Sequence, residues 1–211
     1  GVFPSVDSAM TAVFKSLAAG ANPVAMEFLD ALVIKALRQK FPQISLPEHA
    51  GGILVGDVDA SSEAEIESQL QTLKESFEAF GATDFIIAKD EEEGKKLWFA
   101  RRNASPATMI YGTKKLNEDI SVPRSKLPVA LEGIYKIGEK YGFNVPCFGH
   151  AGDGNIHVNV MVKDKNNEKE MEDGHKAIEE IFQYVVDLGG TLSGEHGIGT
   201  SKAPFMHIAF T

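Results

Sequence analysis

The sequence VPCFGHAGDGNIHVNVMV, residues 145–162, predicts two β-strands joined by a tight turn. Glycine at positions 149, 152 and 154 gives the turn a backbone that can adopt positive φ or approach a ligand closely. After the turn, apolar and polar residues alternate, so that the isoleucine and the valines share one face of a strand. The apolar face is expected to lie in a core, which leaves His157 and Asn159 on the opposite, polar face.

The apolar spacing on both sides of this segment predicts a repeated order of strands and helices. In the first half we predict strands at 2–3, 23–28, 51–58 and 85–88 and helices at 5–20, 29–37 and 62–81. A charged helix over 90–102 follows. In the second half we predict strands at 119–122, 145–150, 155–162 and 191–193 and helices at 128–142 and 168–188.

Each half follows the order strand–helix–strand–strand–helix–strand, with an extra helix in the first half. This is the order of the ferredoxin-like fold. We therefore predict an α+β domain of duplicated ferredoxin-like architecture, with one βαββαβ unit at about 1–90 and the second at about 115–196. No linker rich in glycine, serine or proline separates the halves, which favours a single domain over residues 1–211.

Composition excludes several classes of function. The 211 residues are 43% hydrophobic, which is enough for one packed domain with a sizeable core. The formal net charge of −9, without a cluster of basic residues, argues against nucleic-acid binding and against polybasic attachment to lipid. Cys147 is the only cysteine and cannot form an internal disulfide, which favours a reducing compartment and a cytoplasmic location. The apolar runs are too short to span a bilayer.

Candidate metal ligands cluster in two glycine-rich segments. His150 precedes the turn, His157 follows it, and Glu195 lies in GEHGIG, residues 194–199. Two histidines and one carboxylate form a divalent-metal site for Zn, Mn or Fe, and His196 is then a free imidazole suited to acid–base catalysis. Spacing alone leaves open that these are ordinary histidines beside a solvated turn. The turn lacks the lysine or the G-x-G-x-x-G pattern of a phosphate-binding loop.

The strings CFGHAGDGNIHVNV (147–160) and SGEHGIGTSKAPF (193–205) carry a family resemblance. Further marks are PVAMEFLD (23–30), LWFARRNASPA (97–107) and EDISVPRSKLP (118–128), so that nearly the whole chain takes part. Together they resemble the C-terminal domain of FAD-linked oxidases of the vanillyl-alcohol-oxidase type. That group includes D-lactate dehydrogenase, the glycolate oxidase flavin subunit and D-2-hydroxyglutarate dehydrogenase.

The resemblance implies a cap domain of two ferredoxin-like units that binds substrate and metal. It implies that His150, His157 and Glu195 hold a divalent ion and that His196 is the catalytic histidine. It further implies oxidation of a small 2-hydroxy acid, D-lactate or glycolate, to the 2-oxo acid with hydride transfer to flavin N5.

Other matching residues are implied to bind substrate or cofactor. Arg101 falls where family members use an arginine to pair with the substrate carboxylate, a task for which a guanidinium is well suited. Ser105, one helical turn further on, and Asn159 match positions that line the site. Asn155 and Gly194 are implied to contact the flavin.

One departure from the family bears on the substrate. Members that oxidise 2-hydroxyglutarate carry a lysine for the second carboxylate, where this chain has Asn117. Lys114, Lys115 and Arg124 are near in sequence but are predicted to be out of register with the site. We therefore expect lactate or glycolate rather than a dicarboxylate.

The family pattern also predicts what this segment needs from elsewhere. FAD is expected to be held mainly by an N-terminal domain of the same chain, and a closing C-terminal segment is expected beyond residue 211, so that the isolated segment is inactive. A companion redox subunit, a homodimer and a peripheral position at the inner membrane are compatible with this view. The alternatives are a metal-dependent hydrolase using the same three ligands, or a non-catalytic cap or interaction module.

Overall fold

Six strands with alternating side chains form one antiparallel sheet in the computed structural model, which describes residues 1–210. The sheet order is β1-β3-β2-β5-β6-β4, and every pair of neighbouring strands is antiparallel. The strands are β1 (Val2–Phe3), β2 (Ala25–Asp30), β3 (Gly52–Asp57), β4 (Lys114–Ser121), β5 (Cys147–His150) and β6 (Asn155–Val162). This architecture confirms the predicted α+β class.

Helices connect most of the strands, and several begin at capping side chains. Ser5 and Ser62 each accept a hydrogen bond from the backbone N–H three residues further on, as their sequence context predicts. The helices are α1 (Val6–Ala18), α2 (Ala31–Lys40), α3 (Glu63–Ala79), α4 (Glu91–Ala107), α5 (Leu127–Tyr141), α6 (Glu168–Asp187), α7 (Gly199–Lys202) and α8 (Met206–Ala209). Short 3-10 turns occur at Thr108–Tyr111, Arg124–Lys126 and Ala203–Phe205.

The two faces of the sheet are covered unequally. Helices α1, α3, α5 and α6 pack on one face and form the larger core, with Phe28 of β2 and Ile156 of β6 fully buried beneath them. On the other face, α2 and α4 cover the first half and bury Leu29 and Phe148. The second face therefore remains open over part of the second half, where the strands present polar side chains.

Two of the predicted strands are wrong. Residues 85–88 form no strand, because the chain leaves the sheet after a single bridge between Val2 and Asp84. Ile86 and Ile87 are 60% and 50% exposed, so this apolar run does not enter a core. Residues 191–193 likewise make only the bridge between Ser121 and Thr191, because the chain then turns into a loop whose N–H groups bind a side chain.

Several element boundaries also differ from the prediction. Helix α4 continues to Ala107 instead of ending near residue 102, and it includes Pro106 in its last turn. Strand β4 begins at Lys114 and not at residue 119. Strand β2 runs to Asp30, which caps α2, so that the helix begins two residues later than predicted.

The two halves of the sheet have the same order of strands, counted from each edge to the centre. In the first half the order from the edge inward is the Asp84 bridge, β1, β3 and β2. In the second half it is the Thr191 bridge, β4, β6 and β5. The halves meet where β2 pairs with β5. Within residues 1–210, no helix combines the length and the apolar character required to cross a membrane.

Asp30 links this central strand pair to its neighbours. Its carboxylate accepts hydrogen bonds from the backbone N–H groups of Val33 (2.8 Å) and Cys147 (2.6 Å) and from the hydroxyl of Tyr135 (3.0 Å). The side chain is buried, and burial raises its pKa to about 6 in spite of these three donors.

We predict that Asp30→Asn removes a pH-dependent part of the stability. Because the folded-state pKa is higher than the unfolded value of 3.8, the folded state binds this proton more tightly than the unfolded chain does. Its contribution is therefore fully present below pH 4 and is lost as the pH rises through 6, by roughly 3 kcal/mol in total. Urea unfolding of wild type and variant between pH 4 and 7 measures the difference.

The control is Asp7→Asn, which makes the same charge change on the exposed first turn of α1. Its stability relative to wild type should change far less over this pH range. A constant difference between wild type and Asp30→Asn from pH 4 to 7 would contradict the assigned role of Asp30.

Candidate active site

A cavity of about 420 Å³ lies on the open part of the second face. Strands β4, β5 and β6, helix α4 and the loop at 193–198 contribute to it. Its lining residues are Arg101, Ser105, Lys115, Asn117, Phe148, His150, His157, Glu195 and His196. Six of the nine residues that were predicted to act in the site therefore meet in one cavity.

His150, His157 and Glu195 converge at one end of this cavity. One Glu195 oxygen lies 3.3 Å from His150 Nε2 and 3.4 Å from His157 Nε2. One donor atom of each residue lies within 4.8 Å of the other two. The turn that joins β5 to β6 permits this arrangement, because Gly154 has φ of 79° and a side chain there would overlap the Val122 carbonyl oxygen.

A buried carboxylate lies behind this cluster. Glu27 of β2 lies opposite His150 in the β2–β5 register, and its two oxygens bind two different partners. Oε1 binds His150 Nδ1, and Oε2 accepts a hydrogen bond of 2.5 Å from Arg101 Nε. Because Nδ1 of His150 is used in this way, Nε2 is the nitrogen that remains for a ligand.

Arg101 lies against an aromatic ring beside the two histidines. Its guanidinium carbon is 5.0 Å from the centre of the Phe148 ring, which is a cation–π distance. Since Glu27 takes Nε, the terminal nitrogens of the guanidinium remain for a ligand in the cavity. The role of Arg101 in binding a substrate carboxylate stays a prediction.

Lys115 corrects the sequence interpretation. It was predicted to be out of register with the site, but it lines the cavity and its Nζ donates a hydrogen bond of 2.5 Å to Ser105 Oγ. Burial lowers the pKa of the Lys115 ammonium. Lys115 and Asn117 alternate along β4 on the same face as Asp119, which explains how a lysine two positions before Asn117 reaches the same cavity.

His157 is buried, whereas the neighbouring His196 is half-exposed. The His196 ring stacks on the His157 ring, with centres 5.4 Å apart and planes at 27°. Burial, with Arg101 and His150 nearby, lowers the pKa of His157 to about 4. His157 is therefore neutral at pH 7, which is the form that ligates metals.

His196 and Glu195 lie on a loop held by Asp119 of β4. His196 Nδ1 is 3.5 Å from Asp119 Oδ1. Burial by itself would raise the pKa of Asp119, but hydrogen bonds from Lys202 and from the N–H groups of Glu195 and His196 hold it below its usual range. Asp119 is therefore ionised at neutral pH.

Three predicted residues do not line the cavity. Asn159 is fully buried, and its amide donates to the carbonyl oxygen of Pro146 at 2.9 Å. Asn155 is also buried, donates to the carbonyl oxygen of Ile120, and lies so close to Gly194 that a side chain there would overlap its amide. The substrate role of Asn159 and the flavin roles of Asn155 and Gly194 stay predictions.

Four residues of the site were missed: Glu27, Lys115, Asp119 and Lys202. The only sequence signal was a charged residue within or beside an apolar strand, since Glu27 and Asp119 are both buried. The partners of Glu27 and Asp119 are set by pairing between strands that are distant in sequence, which the periodicity of the sequence does not reveal. His49, His175 and His207 are exposed and do not line the cavity.

The donor set fits a divalent metal ion. Two imidazole nitrogens and a carboxylate oxygen come from three different segments and lie close enough to share one ion. The Glu27 carboxylate behind His150 is the type of partner that orients a metal-binding imidazole. Three protein ligands would leave coordination positions open for a substrate oxygen or water.

The fold and the cavity define the class of protein as an α+β ligand-binding domain. Its cavity has Arg101 and Lys115 at a cationic end and the donor set of a divalent-metal site. Comparison with protein families gives the particular family. Residues 2–211 match the model of the FAD linked oxidases, C-terminal domain, and the chain belongs to this family.

Related proteins agree with this assignment. The glycolate oxidase subunit GlcD of Bacillus subtilis is 33% identical over 98% of this chain, and a probable mitochondrial D-lactate dehydrogenase of Danio rerio is 34% identical over 95%. The matched regions are 43% and 40% of those proteins, so the chain spans about two fifths of their length. The structure of 4-ethylphenol oxidase from Gulosibacter chungangensis has a similar fold, with a TM-score of 0.64 at 11% identity over 90% of this chain and 43% of the oxidase.

We predict that Glu27→Gln weakens binding of Mn²⁺ by about ten- to a hundredfold. Glutamine carries an NH₂ group in place of one of the two oxygens, so it cannot keep both the Oε1 contact with His150 and the Oε2 contact with Arg101. An amide N–H group facing His150 Nδ1 moves the ring proton to Nε2, the nitrogen that faces Glu195. Isothermal titration of the folded protein with Mn²⁺ measures the loss.

Glu48→Gln is the matched control, because Glu48 pairs with Arg38 at 3.1 Å on the surface. Exposed ion pairs contribute little, so this variant should bind Mn²⁺ as wild type does. Equal affinities of Glu27→Gln and wild type would show that Glu27 does not orient a metal ligand.

Proposed function

We propose that this chain is the substrate- and metal-binding domain of an FAD-dependent 2-hydroxy acid dehydrogenase or oxidase. The reaction is oxidation of D-lactate or glycolate to the 2-oxo acid. One observation supports the proposal: Arg101, whose terminal nitrogens are available for a carboxylate, and the imidazole of His196 line the same cavity as the His150, His157 and Glu195 cluster.

We further propose that the domain is a duplicated ferredoxin-like cap whose flavin is held mainly by another domain of the same protein. The matching strand orders of the two halves support the duplication. The family name supports FAD, and the share of the relatives' length that the chain spans supports a separate flavin-binding domain. A cytoplasmic location is proposed on the buried, unpaired thiol of Cys147.

The substrate carboxylate binds at the cationic end of the cavity. The terminal nitrogens of Arg101 offer two parallel N–H donors for a carboxylate, while Glu27 and Phe148 restrict the orientation of the guanidinium. Ser105 lies one helical turn further along α4, and Lys115 places a positive charge beside its hydroxyl. The substrate is thereby oriented with its hydroxyl carbon towards the histidines.

The hydroxyl end of the substrate meets the histidine cluster. A divalent ion held by His150, His157 and Glu195 would polarise the hydroxyl and lower its pKa. His196, half-exposed in the cavity, accepts the hydroxyl proton, and the nearby Asp119 carboxylate stabilises the imidazolium that results. The hydrogen on the hydroxyl carbon leaves with its electron pair, and the carbonyl of the 2-oxo acid forms. The flavin supplies the hydride acceptor, N5.

We predict that His196→Asn lowers the rate of flavin reduction by D-lactate or glycolate at least a hundredfold, because no other free imidazole faces the cavity among residues 1–210. Anaerobic stopped-flow absorbance of the flavin-loaded, full-length protein measures this rate. His175→Asn, a change on the exposed face of α6, is the control and should leave it unchanged. Unaltered flavin reduction in His196→Asn would reject His196 as the base. An active full-length protein that contains no flavin would instead favour the alternative of a metal-dependent hydrolase.

We also predict that Lys115→Met raises KM for D-lactate or glycolate about tenfold, with a smaller effect on kcat. The variant loses a charge-assisted hydrogen bond to Ser105 and the positive charge near the substrate carboxylate. Lys114→Met is the matched control, since the neighbouring side chain is exposed and points away from the cavity. If Lys115→Met loses only the oxidation of D-2-hydroxyglutarate, Lys115 binds a second carboxylate and the substrate is a dicarboxylate.

A further inference from the structure

We propose that Asp119 is a positioning residue whose buried carboxylate, together with Lys202, fixes the loop at 193–198 and thereby sets where Glu195 and His196 lie. The inference rests on the proposed function for the chemistry of those two side chains. It goes beyond that function by assigning the group that orders them.

A single oxygen of Asp119 holds three consecutive residues of the loop. Oδ2 accepts hydrogen bonds from the backbone N–H groups of Gly194 (2.9 Å), Glu195 (2.6 Å) and His196 (3.0 Å). Successive N–H groups that converge on one anion fix the backbone of all three residues relative to that anion. The orientation of two functional side chains therefore depends on one carboxylate of a neighbouring strand.

Lys202 binds the same carboxylate from the other end of the loop. The ammonium is buried, binds Asp119 Oδ1, and donates a hydrogen bond of 2.9 Å to the Asp119 carbonyl oxygen. Glu118 is the other carboxylate near it, at 3.7 Å. Lys202 ends helix α7, which follows the loop directly, so both ends of the segment from 193 to 202 are tied to one residue.

Apart from its bonds to Asp119, the loop is held by two side-chain hydrogen bonds, from Thr191 Oγ1 to the Ser193 carbonyl oxygen (3.0 Å) and from Ser193 Oγ to the Gly197 carbonyl oxygen (3.2 Å). The last backbone pairing before it is the bridge between Ser121 and Thr191, and residues 193–198 belong to no helix or strand. Gly197 and Gly199 adopt positive φ, at 75° and 52°, so the chain turns sharply at both positions. A glycine-rich segment loses much conformational entropy on ordering, which the hydrogen bonds to Asp119 must offset.

The register of the sheet explains why Asp119 places the loop next to His150 and His157. Asp119 lies directly opposite His157 in the β4–β6 pair, with both side chains on the same face. The loop bound to Asp119 therefore passes over His157, where Glu195 approaches its Nε2 and His196 stacks on its ring. Asp119 itself is fully buried and does not line the cavity, so it acts through these residues.

Asp119→Asn and Lys202→Met in the full-length, flavin-loaded protein test the proposal. Asparagine keeps the size of the side chain but removes the charge that three N–H groups and the ammonium share. We expect amide hydrogen exchange of residues 194–196 to rise about tenfold or more in both variants, with exchange in β6 unchanged. Lys202→Met keeps the three N–H contacts, so its effect should be the smaller.

Binding of Mn²⁺ and steady-state kinetics provide the second measurement. Both variants should bind Mn²⁺ ten- to a hundredfold more weakly, and excess Mn²⁺ should recover part of the lost kcat in Asp119→Asn. KM for the 2-hydroxy acid should stay near the wild-type value, because Arg101 and Ser105 lie on a different element. Asp7→Asn is the matched control: it makes the same change of side chain and charge on the exposed first turn of α1, and Asp7 has no contact with the loop or with Lys202.

Two results would overturn the proposal. One is unchanged exchange of residues 194–196 in Asp119→Asn; the other is an equal rise of exchange in the loop and in β6, which marks a general loss of stability. Should Asp119→Asn fail to fold, Lys202→Met is judged by the same two criteria. A wild-type protein that binds no Mn²⁺ refutes the proposed metal site instead, and loop exchange then still decides the role of Asp119.

Discussion

The antiparallel pairing of β2 with β5 is the interaction on which the site depends. It places Glu27 opposite His150 and so joins the two halves of the sheet at the point where their functional residues meet. Arg101 comes from a helix of the first half, whereas His150 and His157 come from strands of the second. The Glu27 carboxylate binds both Arg101 and His150, so a shift of register by one residue would turn Glu27 to the opposite face and separate them.

Two buried carboxylates organise the cavity without lining it. Glu27 connects helix α4 to β5, and Asp119 connects the loop at 193–198 to β4. Each has at least one cationic partner, since an unpaired charge in such a place would be very unfavourable. These contacts also orient the side chains of the site. Glu27 leaves His150 Nε2 and the terminal nitrogens of Arg101 facing the cavity. Asp119 holds the backbone of the loop so that Glu195 and His196 face the cavity. The two converging histidines, Glu195 and His196 are thereby held in place before any ligand enters.

Local patterns made much of this structure predictable. The hairpin at 145–162, the caps at Ser5 and Ser62 and the long helices follow from spacing within a few residues, and the sequence places the two histidines of the hairpin on either side of its turn. Residues 85–88 were misjudged because an apolar run at a sheet edge has the composition of a buried strand. Glu27, Lys115 and Asp119 could not be found in this way, because their roles arise from pairing between segments far apart in the chain. Lys115 is the clearest case: the sequence predicts it to be out of register with the site, but the alternation along β4 brings it into the cavity.

We propose that His150, His157 and Glu195 form one metal site at the junction of substrate and flavin. Anomalous X-ray diffraction from crystals of the full-length protein grown with Mn²⁺ tests it directly. We predict one anomalous peak within about 2.0–2.3 Å of Nε2 of both histidines and of a Glu195 oxygen. A fully loaded protein whose peak lies elsewhere, or that shows no peak between these three side chains, would contradict it.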